Sequence, residues 1–240
     1  MAKGKGKGKG KGPVELGPES DPNILCRNYI KESKDVNLVP FAPLTQGLNN
    51  EENINRGKQI IVVPSASGET VLGPGGCRAL VNAMVGNGTP FTATREIRIC
   101  RSDIQDGGAA AIGTLLAATA NKSSVPAQWK LQYVELMDNG IGPSGAAALG
   151  RSLCVGMNKT LCALVLDFNR FGSMGVQHLC KGLSTNSTLK RLSLKYCNVD
   201  EHGGQPIGEM VSFKRSGLIS LDVVSTKLCT FSCCIATSDC

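Results

Sequence analysis

Two histidines, His178 and His202, and eleven cysteines are the side chains of this 240-residue sequence best suited to acid–base, nucleophilic or metal chemistry. His178 falls within an expected helix and His202 in the turn before the next one. No nucleophile or carboxylate stands at a telling spacing from either, so both read as surface histidines rather than a catalytic relay. Cys229, Cys233, Cys234 and Cys240 crowd the last dozen residues. Thiolates suit a soft metal, but this spacing forms no paired Cys-x-x-Cys pattern and no histidine joins it. With Cys240 in last place a prenylation box is not expected. Cys162, Cys180 and Cys197 are expected to be structural thiols. Gly73-Pro-Gly-Gly76 has the glycine density of a phosphate loop but lacks the Gly-Lys-Ser/Thr ending, so it reads as the start of a helix. No catalytic residue, metal or cofactor is expected.

Charge points outward to partners, and it is unevenly placed. The net charge is +7, yet five lysines alternate with glycine over residues 3–12, which leaves about +2 for the rest. Residues 1–22 are expected to be a disordered tail. It would attract anionic partners weakly, but no aromatic residue interleaves with it to stack on bases. No secretory-type start is present and no apolar run approaches the ~20 residues of a membrane span, so the expected location is cytoplasmic and reducing. The Asn-x-Ser/Thr triplets at Asn87, Asn121, Asn158 and Asn186 are then expected to be structural. They fall where helices should end, and Asn tolerates the left-handed conformation of a C-terminal cap.

The elements that must position any binding residue follow from a repeat. Leu161, Leu164, Leu166, Asn169, Phe171, Gly175, Leu179 and Leu183 define a template. It recurs from Leu131 (Val134, Leu136, Asn139, Ile141, Gly145, Leu149, Leu153) and from Leu189 (Leu192, Leu194, Cys197, Val199, Gly203, Ile207, Val211). Weaker copies hold Ile97 and Ile99, Ile60 to Val63, and Leu218 to Leu228. Each unit reads as a short strand, an inward-turned Asn or Cys that bonds neighbouring backbone, and a glycine-opened helix with apolar residues four apart. Aromatics make up only 4% of the chain, which suits thin stacked layers of aliphatic side chains. The expected organisation is a two-helix lead-in over 23–58, broken near Pro40–Pro43, about five units over 59–228, and a Cys-rich tail over 229–240. Pro64–Glu69 and Ser123–Trp129 read as insertions.

The units 161–188 and 189–216 resemble ribonuclease-inhibitor-type leucine-rich repeats. That class also includes the repeats of Ran GTPase-activating protein, NOD-like receptors and small ciliary proteins. A fainter similarity joins Tyr29–Pro40 to the helical lead-in of flagellar repeat proteins. The resemblance implies an α/β right-handed solenoid, a horseshoe segment with parallel strands on the concave face and helices on the convex face. It implies a non-enzymatic scaffold, and a ciliary or flagellar location is its compartmental corollary. In such a stack the outward strand residues line the concave face: Glu96, Arg98 and Cys100, then Tyr133, Glu135 and Met137, then Ala163, Val165 and Asp167, then Arg191, Ser193 and Lys195, then Ser220, Asp222 and Val224. Arg98, Tyr133, Glu135, Asp167, Arg191, Lys195 and Asp222 are the expected contacts to a protein partner, with Tyr133 and Arg191 as anchors. The resemblance also suggests an alternative, a GTPase regulator with Arg170 as its arginine finger.

Overall fold

The computed structural model describes residues 17–63, 71–86, 89–118, 129–154, 156–213 and 216–224. The Lys-Gly run, Pro64–Glu69, Ser123–Ala127, Asn87, Asn121, Leu228 and the four last cysteines lie outside these residues.

Alternating burial generates six short strands: β1 (Gln59–Val62), β2 (Glu96–Ile99), β3 (Tyr133–Glu135), β4 (Ala163–Val165), β5 (Arg191–Ser193) and β6 (Ser220–Asp222). They form one parallel, open sheet in sequence order. Register runs straight across it, so that Ile97, Val134, Leu164, Leu192 and Leu221 stand side by side. A parallel neighbour requires a crossover, and here each crossover is a helix: α3 (Gly73–Val85), α4 (Gln105–Ala118), α5 (Pro143–Ser152), α6 (Gly172–Leu183) and α7 (Gly204–Ser212), the last preceded by a 3-10 turn. The layer between sheet and helices is fully buried and aliphatic, with Leu136, Leu149, Leu153, Leu166, Leu179 and Leu194 among its residues. The first helices, α1 (Pro22–Asp35) and α2 (Ala42–Asn49), precede the sheet. α1 packs on α3, and α2 packs against β1. Tyr29 joins them: its ring is buried and its hydroxyl accepts the Phe41 N–H at 3.1 Å.

A polar ladder ties the coils together. Asn139 Nδ2 donates to the Ile99 carbonyl at 2.6 Å, and its Oδ1 accepts from the Ser102 N–H at 3.0 Å. Asn169 repeats this one coil later, donating to Leu136 and Leu166 carbonyls, each at 2.8 Å. Cys197 takes the same place in the next coil, its Sγ 3.2 Å from the Leu166 carbonyl. These groups are buried, so each backbone partner they satisfy would otherwise be an orphan.

Two local expectations need correction. Asn158 and Asn186 are not left-handed caps, and neither is among the positive-φ residues. They are buried clamps. Asn186 Nδ2 donates to the Leu153 carbonyl at 2.8 Å, while its Oδ1 accepts from the N–H groups of Thr188 and Leu189. Asn158 does the same between the Leu116 carbonyl and Leu161. The repeated glycine directly precedes its helix at Gly203, before α7, but Gly108, Gly145 and Gly175 do not open theirs. Gly145 lies inside the first turn of α5, where a Cβ would sit 2.7 Å from Ile141 Cγ2. Packing against the preceding aliphatic residue excludes a side chain there. Between α5 and α6 the approach is closer still, since a Cβ on Gly182 would overlap the Gly150 carbonyl.

Candidate protein-interaction surface

The sheet face turned away from the helices carries the side chains that alternate with the core. On β2 and β3 they form one connected cluster. Arg98 Nε donates to Glu96 Oε1, and its guanidinium lies 3.6 Å from Glu135 Oε2. The Tyr133 hydroxyl donates to Glu135 Oε2 at 2.9 Å, and the Arg98 guanidinium stands 4.9 Å from the centre of the Tyr133 ring. Gln59 Nε2 extends the cluster to β1 by donating to Glu96 Oε2 at 2.7 Å. Glu96 pushes the Arg98 pKa further up through this hydrogen bond. Partial burial, reinforced by the Glu135 carboxylate, pushes the Tyr133 phenol up to about 12, so it stays a neutral donor. Cys100 meets the same cluster, buried beneath it with its Sγ 3.7 Å from Glu135 Oε1.

The centre and far side differ in character. Ala163 and Val165 on β4, with Met137 after β3, make a half-buried apolar shelf. Arg191 stands in register between Ala163 and Ser220, is exposed, and has no ion pair among the described residues. Lys195 reaches Asp222, with Nζ 3.8 Å from Oδ2. Asp167 stands on the same side as Ser193, which is in register with Val165, but it is buried there. Its Oδ1 accepts the Ser193 hydroxyl at 2.6 Å and the Lys195 N–H at 2.9 Å. The alternation of Leu164 and Leu166 with Val165 and Asp167 continues past the end of β4, and the Asp167 carboxylate is taken up by polar groups of the next coil. Ser193 is buried with it. Arg98, Tyr133 and Glu135 are thus brought together, Lys195 and Asp222 form a second pair, and Arg191 stands apart.

A row of residues missed by sequence reading borders this face. The chain turns off β2, β3, β4 and β5 through a left-handed residue in the same place: Arg101 (φ 47°), Asp138 (φ 52°), Phe168 (φ 60°) and Tyr196 (φ 57°). Phe168 and Tyr196 stack with ring centres 4.8 Å apart and planes 20° apart, and they remain 48% and 44% exposed. Their signal in sequence was position: each lies four residues after a core leucine, Leu164 or Leu192, where the repeat template specifies nothing.

The histidines are both exposed. His202 Nδ1 lies 3.2 Å from Asp200 Oδ1, which also accepts the Ser173 hydroxyl at 2.5 Å. The serine bonds the carboxylate and not the imidazole, the reverse of a nucleophile–base pairing. This trio borders a groove of about 700 Å³ between α6 and α7, lined also by Met174, Cys180, Met210 and Phe213. No group of three or more metal-ligating side chains occurs among the described residues, and no helix there is long and apolar enough to cross a membrane.

The family model described as "Leucine Rich repeat" matches residues 130–150 and 185–208. Leucine-rich repeat-containing protein 45 of Gallus gallus is 33% identical over 75 residues, 30% of this chain and 11% of the relative's own length. Among solved structures, leiomodin-1 actin-binding site 2 aligns with a TM-score of 0.46 at 20% identity, over 71% of this chain and 83% of that one. The matched family segments cover β3 with most of α5, and β5 with the start of α7. The chain carries leucine-rich repeats and folds as an α/β leucine-rich-repeat solenoid.

Proposed function

We propose that this solenoid is a protein-binding scaffold whose partner docks on the open face of β2–β6, and that its repeats are of the ribonuclease-inhibitor type. Solenoids of this kind use such extended faces for binding. One observation carries the reading: a rigid parallel sheet sets the interlocked Arg98–Glu96–Glu135–Tyr133 cluster beside the Met137–Ala163–Val165 shelf and the unpaired Arg191. Pre-ordered charged and aromatic groups around an apolar centre are the anatomy of an interface, because their side-chain entropy is already spent. Tyr133, Arg191 and Lys195 are the anchors to test. A variant carrying Tyr133→Ala, Arg191→Glu and Lys195→Glu should retain wild-type circular dichroism and lose its partners in affinity capture. Equal capture by both proteins contradicts the reading.

A GTPase-regulating role is the second reading, favoured by Arg170, which is exposed after the left-handed turn of β4 and has no ion pair among the described residues. An arginine finger must be free to enter a partner's phosphate site. Faster GTP hydrolysis by small GTPases, abolished by Arg170→Ala, supports it; no acceleration by the wild type ends it.

A further inference from the structure

The rim that borders the strand face combines an aromatic stack with a carboxylate in a way the chain uses elsewhere. The turn imposes a positive φ at Arg101, Asp138, Phe168 and Tyr196. That conformation suits Gly, Asn and Asp and disfavours a bulky ring. Phe168 and Tyr196 gain no core burial in exchange, since each ring is nearly half exposed. Aromatic side chains at these two positions are therefore not explained by folding alone.

Their surroundings indicate what they hold. In sheet order Phe168 stands between Asp138 and Tyr196: the Asp138 N–H donates to the Asp167 carbonyl at 3.0 Å, and the Phe168 N–H donates to the Lys195 carbonyl at 2.8 Å. Tyr196 stacks on one face of the Phe168 ring, and the exposed Asp138 stands in the coil on the other side of Phe168, one backbone rung of ~4.8 Å away. An internal precedent exists two coils earlier. There Arg98 lies over the Tyr133 ring while it contacts the Glu135 carboxylate. On the rim the same pairing of ring and carboxylate has no cation: among the described residues none lies over Phe168 and none is ion-paired to Asp138. Arg101 neighbours Asp138 in the sheet, Arg170 follows Phe168 by two residues and Lys195 adjoins Tyr196; Lys195 pairs with Asp222, and none of the three forms that pair.

We propose that Asp138, Phe168 and Tyr196 form a docking site for an arginine side chain of the protein partner. A guanidinium is planar, stacks flat on a ring, and offers paired donors to one carboxylate, which an ammonium does not. The site rests on the reading that the adjoining strand face binds protein, and it gives that partner a chemistry.

The test uses a random linear nonamer phage library selected on the full chain. Arginine should be enriched at one position, and a selected peptide, made as a soluble probe, should bind about tenfold more weakly to Phe168→Ala and to Asp138→Asn. Replacing its arginine by citrulline should cause a similar loss. Selected peptides without arginine, or probes insensitive to both rim variants, overturn the rim site. If such probes are lost with Tyr133→Ala and Arg191→Glu, the strand-face reading still stands. A library that yields no binder contradicts both. A single-stranded oligothymidylate whose binding needs Phe168 and Tyr196 would assign the rings to base stacking and also overturn the proposal.

Discussion

Asn169 Oδ1 accepts the backbone N–H groups of Asn139 and Ile141, each at 3.1 Å, across the boundary between two coils. One side chain thereby satisfies two donors that have no strand partner, while its amide nitrogen serves carbonyls on both coils. This ladder ties neighbouring coils together beside their aliphatic layers.

Asn169→Ala should therefore be severe for a residue that touches no ligand. It strands two buried N–H groups, each worth about 1–3 kcal/mol when unsatisfied. A loss of roughly 2–4 kcal/mol in urea unfolding is expected, with Asn169→Leu no better. A loss below the size of one hydrogen bond would show that the coils do not depend on the ladder.

Asp106 extends the same logic to the helical layer. Its Oδ1 accepts from Gly142 N–H at 2.6 Å and Gly145 N–H at 3.0 Å, so a residue of α4 caps the start of α5. Asp106→Ala should cost about 1–2 kcal/mol, as removal of a side-chain N-cap does. Thermal unfolding of the variant checks it, and Asp106→Asn should recover part of the loss.

Two glycines separate close packing from plain helix propensity. Gly182→Ala would drive a methyl into the Gly150 carbonyl and force α5 and α6 apart, with a loss of about 1–3 kcal/mol. Gly208 in α7 has open space around its Cβ position, so Gly208→Ala should stabilise by roughly 0.5–1 kcal/mol. Opposite signs for the two in one denaturation series are the expected result.

Sequence reading reached the layers and stopped at the turns. The spacing of Leu161, Leu164 and Leu166 announces strand and core because burial repeats it in every coil. Asn139 and Asn169 were legible because a polar residue interrupts that apolar pattern at a fixed place. Period-two alternation reaches Asp167, but the burial of its carboxylate depends on Ser193 and the Lys195 N–H in the next coil, which a single-coil template does not encode. The hydrogen bonds of Asn186 and Asn158 reach back 33 and 42 residues, distances no local pattern encodes. The stack of Phe168 on Tyr196 depends on two turns adopting the same left-handed conformation side by side, which appears only once the coils are in register.

Burial pushes the thiols of Cys77, Cys180 and Cys197 up to about 12, from an ordinary value of 9.0. Folding thus favours their neutral form. Their contribution to stability is whole below about pH 9, where unfolded thiols are also neutral, and is lost as pH rises from there through the folded value near 12. Site-resolved alkylation at pH 8 should label the exposed Cys162 quickly and these three only on unfolding. Equal labelling rates would contradict the buried placement.

The central claim is that the partner sits on the strand face and not on the helices. A photo-crosslinking residue, p-benzoylphenylalanine, in place of Ala163 would stand on β4 at the centre of that face; in place of Thr114 it would stand exposed on α4. Irradiation in cells that express the full chain should give a covalent partner adduct from position 163 and none from position 114. An adduct from position 114 alone would place the interface on the helical side and contradict the account.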